Sequence, residues 1–226
     1  MIKNIGGSET MVAAKKKIII VGCGPGAADY ITPAAEAAAA KADVLIVSQR
    51  LKDLFPGCRA ERIDSGTDVD GILDIIAARR NEGRQVVLLA MGDPGIFSLA
   101  RPVIDRFGRE NCEVIPGISS VQIAFARLSL DWQDARIISA FNSNPETTAA
   151  DLRPAGKIAV LGGRESDPLW TAGLLRKQLG SGWRLLVCED LTHPNERIRE
   201  VGADEPTTFP VSTRAIVLII REELLS

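Results

Sequence analysis

KIIIVGCGPGAADYIT, residues 17–32, runs from an apolar stretch into a glycine-rich turn and on toward a helix. Residues 17–22 are rich in β-branched side chains and read as a buried strand. Thr32 then stands as an N-cap before Pro33, and PAAEAAAAK at 33–41 reads as a helix. Working outward, ADVLIVS at 42–48 and QVVLLA at 85–90 read as further strands. Residues 68–82 have apolar positions at helical spacing and stop before Gly83, a natural C-cap. A helix over 98–107, with Pro102 in its first turn, a strand at 112–115 and a helix over 118–128 follow. The second half is expected to hold strands at 135–140, 157–161, 184–188 and 215–220, and a helix at 168–179.

Unbroken apolar strands alternating with helices require sheets covered on both faces, so the class is α/β. Pattern and composition shift around Asp131–Asp134 (DWQD) and the NSNPETT loop at 142–148. That places two α/β domains at 17–130 and 131–226, with residues 1–16 expected to be a disordered leader.

Composition narrows the function. The 226 residues are 46% hydrophobic with a formal charge of −2, and the basic residues are scattered, which gives no electrostatic reason to expect nucleic acid. No apolar run reaches about 18 residues, so no transmembrane helix is expected. Cys23, Cys58, Cys112 and Cys188 form no CxxC pair, which argues against a zinc site or disulfide framework and for a reducing cytoplasm. His193 is the only histidine, and no GxSxG elbow accompanies it.

Gly22-Cys23-Gly24-Pro25-Gly26-Ala27 satisfies the dinucleotide pattern GxGxx(G/A) after a strand. Two features disagree. Pro25 removes a backbone donor where a pyrophosphate needs one, and the helix signal comes late, at Thr32-Pro33. The second strand ends Ser48-Gln49-Arg50, with no acid to hold a ribose hydroxyl. Arg50 could instead meet a 2′-phosphate, which leaves an NADP-dependent oxidoreductase as an alternative.

Two more turns stand at strand ends, where α/β folds bind ligands. In Gly92-Asp93-Pro94-Gly95, glycine allows close approach of a ligand, and Asp93 either bonds its own turn or faces a cationic group. Ile96 and Phe97 are core or an apolar pocket wall, with Phe97 expected in the core. In Pro116-Gly117-Ile118-Ser119-Ser120, one serine is expected to cap the next helix, leaving the other and the helix N–H groups for a carboxylate. Three small-residue turns in one half suggest one ligand bound across them.

The succession VGCGPG, GDPGIF and PGISS resembles the tetrapyrrole (corrin and siroheme) methyltransferases, from about residue 17 to 221. SQRL with Arg50, PGISSVQIAFARLSLDWQDARIISA at 116–140 and CEDLTHPNERI at 188–198 are similar to the branch acting at C5 of precorrin-6Y or cobalt-precorrin-7. The chain departs from that branch at Ser98, where glycine is expected, and at Ala140-Phe141-Asn142, in place of His-Gly-Arg. The resemblance implies the tetrapyrrole methylase fold, with S-adenosylmethionine in a cleft between two domains, a precorrin substrate and a homodimer. It also implies that Gly92, Asp93, Ile96, Ser119, Ser120 and Leu161 touch the cofactor. The resemblance further implies that Pro25 borders the macrocycle or the methyl group, and Arg50 is expected either as a partner for substrate carboxylates or in a surface ion pair. Methyl transfer to carbon is an in-line displacement that needs alignment, with no metal or covalent intermediate. A non-catalytic tetrapyrrole-binding protein is a further alternative, motivated by the Ala140-Phe141-Asn142 departure.

Overall fold

A computed structural model describes residues 15–140, 149–162 and 168–225. The first sheet is wholly parallel, built from β1 (Ile18–Gly22), β2 (Val44–Val47), β3 (Glu61–Asp64), β4 (Val86–Ala90) and β5 (Cys112–Ile115) in the order β3-β2-β4-β1-β5. Successive residues of a strand face opposite sides. Ile18 and Ile20 therefore join Ile72 and Ile76 of α2 (Val69–Asn81) and Val103 of α3 (Ala100–Phe107). Ile19 and Val21 join Ala35 and Ala38 of α1 (Pro33–Ala39) on the other face. Both faces are covered, which is why β1, β2 and β4 carry no polar residue before their ends.

The chain then crosses to the second sheet through α4 (Ser120–Arg127). That sheet holds β6 (Arg136–Ser139), β7 (Lys157–Leu161), β8 (Trp183–Glu189), β9 (Arg197–Val201) and β10 (Ile216–Arg221) in the order β6-β7-β10-β8-β9. Only β6 and β7 pair in parallel; the other pairings are antiparallel. The short α5 (Ala149–Leu152) precedes β7, and α6 (Pro168–Leu179) covers one face through Leu169, Ala172 and Leu175. On the other face, Val121, Ala124 and Phe125 of α4 pack on Leu186, Cys188, Ile216 and Leu218. Helix α4 lies before residue 130 in the chain, yet its apolar face belongs to the second sheet.

Two strands are absent from the sequence reading, and both are edges. β3 (ERID) and β9 (RIREV) are rich in charge and only part-buried, as edge strands are. Their side chains are tied sideways: Arg79 bonds Glu61 at 2.7 Å, Arg199 bonds Glu205 at 2.7 Å, and the Arg199 guanidinium also lies 3.9 Å from the centre of the Phe209 ring. Residues 1–14 of the expected leader (1–16) and the NSNPETT loop lie outside the described residues, as do Phe141 and Asn142.

Candidate active site

The carboxyl ends of β1, β4 and β5 converge. Gly22, Gly92 and Gly117 pack backbone against backbone, and a Cβ on Gly22 would stand 2.8 Å from the Gly92 carbonyl oxygen and 2.7 Å from the Gly117 Cα. Gly24 and Gly92 exchange both backbone hydrogen bonds, at 3.3 and 2.8 Å, with φ of 75° and 61°. Glycine is needed there because the left-handed region penalises any Cβ.

Asp93 ties two of these turns together. Its Oδ1 accepts from the Gly95 N–H at 2.8 Å and its Oδ2 from the Gly117 N–H at 3.1 Å. Both oxygens keep lone-pair capacity for a ligand donor. Ser119 forms a capping box: its Oγ accepts from the Gln122 N–H at 3.2 Å, and the Ser119 N–H donates to Gln122 Oε1 at 2.8 Å. That makes Ser119 the capping serine and leaves the Ser120 hydroxyl at the first turn. Thr32 caps α1 as expected, accepting from the Ala35 N–H at 3.1 Å.

These turns wall a cavity of about 400 Å³ between the two sheets. Gly92, Asp93, Ile96, Ser119, Ser120, Leu161, Pro25 and Arg50 all line it. Leu161 reaches it from the end of β7, and Thr213 to Ala215 close it from the start of β10. The sequence reading did not single out Ser48 or Arg214, which also line it. The Ser48 hydroxyl oxygen is buried with no hydrogen-bond partner among the described residues, so it offers a polar contact to a ligand. Arg50 Nη2 donates to the Thr213 carbonyl oxygen at 3.0 Å, and Arg214 pairs with Asp190 at 3.6 Å. A larger groove of about 890 Å³, lined by Asp43, Cys58 and Arg84, lies at the amino ends of the strands. It is the wrong end for a ligand site in a sheet of this kind.

Several expectations change. Phe97 is not core: it sits at φ 43° and is 51% exposed at the cavity rim. The GDPGIFS turn throws it outward, because Ile96 N–H bonds back to the Asp93 carbonyl and the Ser98 hydroxyl to the Pro94 carbonyl. Ser98 also accepts from the Ala100 N–H at 3.1 Å, so the departure from glycine stitches the turn to α3. In the β8–β9 connection, Glu196 pairs with Arg127 of α4 at 2.6 Å, while its neighbour Arg197 turns to Glu189. The Arg127 guanidinium and the Thr192 N–H hold the Glu196 carboxyl below the usual range.

The dinucleotide reading fails on the same geometry. Cys23 N–H donates to Ala90, Gly24 N–H to Gly92, and Ala27 N–H to the Thr192 hydroxyl at 3.1 Å. Pro25 has no N–H, so the loop lacks the array of free donors that a pyrophosphate requires. A 3₁₀ turn at Ala28–Tyr30 also separates the loop from α1.

A two-sheet α/β chain whose glycine turns wall a cleft between its sheets is the class that fold and site define. The family model "Tetrapyrrole (Corrin/Porphyrin) Methylases" matches residues 17–206. A cobalt-precorrin-7 C(5)-methyltransferase of Salmonella typhimurium is 35% identical over 182 residues, covering 80% of this chain and 88% of that protein. The precorrin-6Y methylase structure from Archaeoglobus fulgidus aligns with a TM-score of 0.67 at 26% identity, covering 91% of this chain and 98% of that one. A uroporphyrin-III C-methyltransferase structure from Thermus thermophilus, complexed with S-adenosyl homocysteine, shares the fold with a TM-score of 0.75 at 18% identity, covering 90% of this chain and 97% of that one. The chain belongs to the tetrapyrrole methylase family, has that family's fold, and is a methyltransferase.

Proposed function

We propose that this enzyme methylates C5 of a precorrin macrocycle in cobalamin biosynthesis, with S-adenosylmethionine as methyl donor. The observation that carries the reading is the convergence of Pro25, Arg50, Gly92, Asp93, Ile96, Ser119, Ser120 and Leu161 on one cavity. Its volume is of the order expected for a small-molecule site of about 300–1,000 Å³. The lining suits the donor: apolar Ile96 and Leu161, the Ser120 hydroxyl, the unpartnered Ser48 hydroxyl, and glycine backbone that lets a ligand lie close.

S-adenosylmethionine supplies an activated methyl group on a sulfonium, for displacement by an electron-rich ring carbon. The chain's task is alignment, worth about 7–11 kcal/mol of barrier in well-oriented systems. Gly92, Asp93, Ile96, Ser119, Ser120 and Leu161 bind and orient the donor. Pro25 stands at the acceptor side. Arg50 meets a peripheral carboxylate of the macrocycle, for which a guanidinium fork is well shaped.

Two domains, 17–130 and 131–226, flank the cleft in this reading. The enzyme is proposed to act as a cytoplasmic homodimer. Among the described residues no helix is long and apolar enough to cross a membrane. Trp170 and Leu174, one turn apart on α6, expose apolar surface suited to a subunit contact; light scattering tests it by mass. Titration calorimetry with S-adenosyl homocysteine tests the donor site: binding in the micromolar range is expected, and its absence contradicts the reading. NADPH binding in its place would favour the oxidoreductase alternative.

A further inference from the structure

The loop after β1 carries Pro25 into the cleft wall, and its far side is held by the β8–β9 loop. Ala27 N–H donates to Thr192 Oγ1 at 3.1 Å, between residues 165 apart in the chain. The Thr192 N–H donates to Glu196 Oε2 at 2.6 Å. Glu196 accepts from Arg127 Nε at 2.6 Å and Nη2 at 3.2 Å, and Arg127 Nη2 reaches the Tyr30 hydroxyl at 3.5 Å. The bonds form a ring. They run from the β1 loop to the β8–β9 loop, on to α4, and back to Tyr30 in the β1 loop.

The ring is built at a cost. Thr192 sits at φ 71° and Asp190 at φ 47°, and the left-handed region is uncommon for a β-branched residue. The His193 imidazole is pressed on Gly26, where a Cβ would stand 2.9 Å from its Cε1, and its Nε2 is buried with no partner among the described residues. Backbone strain and an unsatisfied nitrogen in one loop point to a geometry retained for function. Pro25 is rigid and buried, with its own anchors at Gly24 on one side and Ala27 on the other. Gly24 is pinned by Gly92, so the bond to Thr192 sets the remaining freedom of the loop.

We infer that Thr192 is a positioning residue for methyl transfer: through Ala27 it holds Pro25 against the methyl acceptor, while Glu196 and Arg127 hold Thr192. The inference rests on the proposed reading of Pro25 as the acceptor-side wall. It predicts an effect on the acceptor and not on the donor, whose contacts lie on the β4 and β5 turns.

Thr192→Val keeps the shape and removes the acceptor oxygen. Losing one such bond should lower kcat/KM for the precorrin acceptor by roughly 5- to 10-fold. The S-adenosyl homocysteine Kd should stay within about twofold, and Thr192→Ser should restore most of the loss. Ala27→Pro deletes the donor instead, at a residue whose φ of −73° suits proline, and should give the same split. Hydrogen exchange gives a readout without turnover: the Ala27 amide should exchange faster in Thr192→Val, with the α4 amides unchanged. Acceptor kinetics unchanged in both variants, or donor and acceptor binding weakened alike, overturns the inference. A wild-type enzyme that transfers no methyl group to the precorrin instead overturns the underlying reading. Exchange at Ala27 then decides the clasp alone: faster exchange in Thr192→Val upholds it, and unchanged exchange overturns it.

Discussion

Gly92 turns its carbonyl oxygen onto the face of Gly117 where any other residue would carry its Cβ. The contact joins the β4 and β5 turns at the floor of the cleft. Gly117→Ala should therefore force the two loops apart. Overpacking of this kind costs about 2 kcal/mol, or roughly 4–8 °C in Tm for a chain of this size. Gly57→Ala is the control, since nothing lies within 4 Å of where its Cβ would stand and no backbone strain attends it. Thermal melting of both variants, with and without S-adenosyl homocysteine, checks the difference.

Ser48 tests whether the cavity binds through a group that was not singled out in the sequence. Its buried hydroxyl has no protein partner among the described residues, so Ser48→Ala should leave Tm unchanged or slightly higher. As a contact of the donor, its loss should raise the KM for S-adenosylmethionine about fivefold, the size of one neutral hydrogen bond. Steady-state kinetics with the donor varied at saturating precorrin reads this directly.

Arg50 and Arg214 flank Thr213 at the mouth of the cavity. Removing Arg50 should raise the acceptor KM by roughly 10- to 100-fold, as loss of a hydrogen bond to a charged group does. Arg50→Lys should recover only part, because an ammonium lacks the planar fork. Both effects should shrink as ionic strength rises, which screens an exposed charge pair. A KM independent of salt and of Arg50 would remove it from the acceptor site.

The pH response has two arms with opposite signs. Glu196 is held below its ordinary pKa first by Arg127, then by the Thr192 N–H. Its stabilising contribution is present above the unfolded value of 4.5 and is lost as the pH falls below that through the folded value. Burial pushes the Cys23 and Cys188 thiols up from 9.0 to about 12. Their contribution is complete below pH 9 and is lost as the pH rises toward 12, because the unfolded chain releases those protons first. Denaturant midpoints should fall on both sides of a neutral plateau. Glu196→Gln should weaken the acid arm alone.

Much of this architecture was legible in the sequence, for identifiable reasons. β1, β2 and β4 are buried on both faces, so each is an unbroken apolar run that needs no partner to be read. Thr32-Pro33 and the serine pair Ser119-Ser120 are local signals, and they mark the starts of α1 and α4; the bond from Ser119 N–H to Gln122 was not read. β3 and β9 were missed because an edge strand is defined by its neighbour, and these two carry arginine and glutamate where a buried strand carries valine. The meeting of the turns that carry Pro25, Asp93 and Ser119 at one cavity could be anticipated from their places at strand ends, whereas Leu161 came only from the family resemblance. The partners of Arg127 and Thr192 could not. Those bonds join residues 69 and 165 apart, and no periodicity or spacing encodes them. Phe97 shows the reverse failure: an aromatic after an apolar residue reads as core until a left-handed backbone turns it outward.

The most direct test of methyl transfer to a precorrin is the mass of the macrocycle after incubation with trideuteromethyl S-adenosylmethionine. The account predicts gain of a single labelled methyl group, located at C5 by fragmentation or NMR. An unlabelled macrocycle recovered from folded, donor-binding enzyme would contradict it.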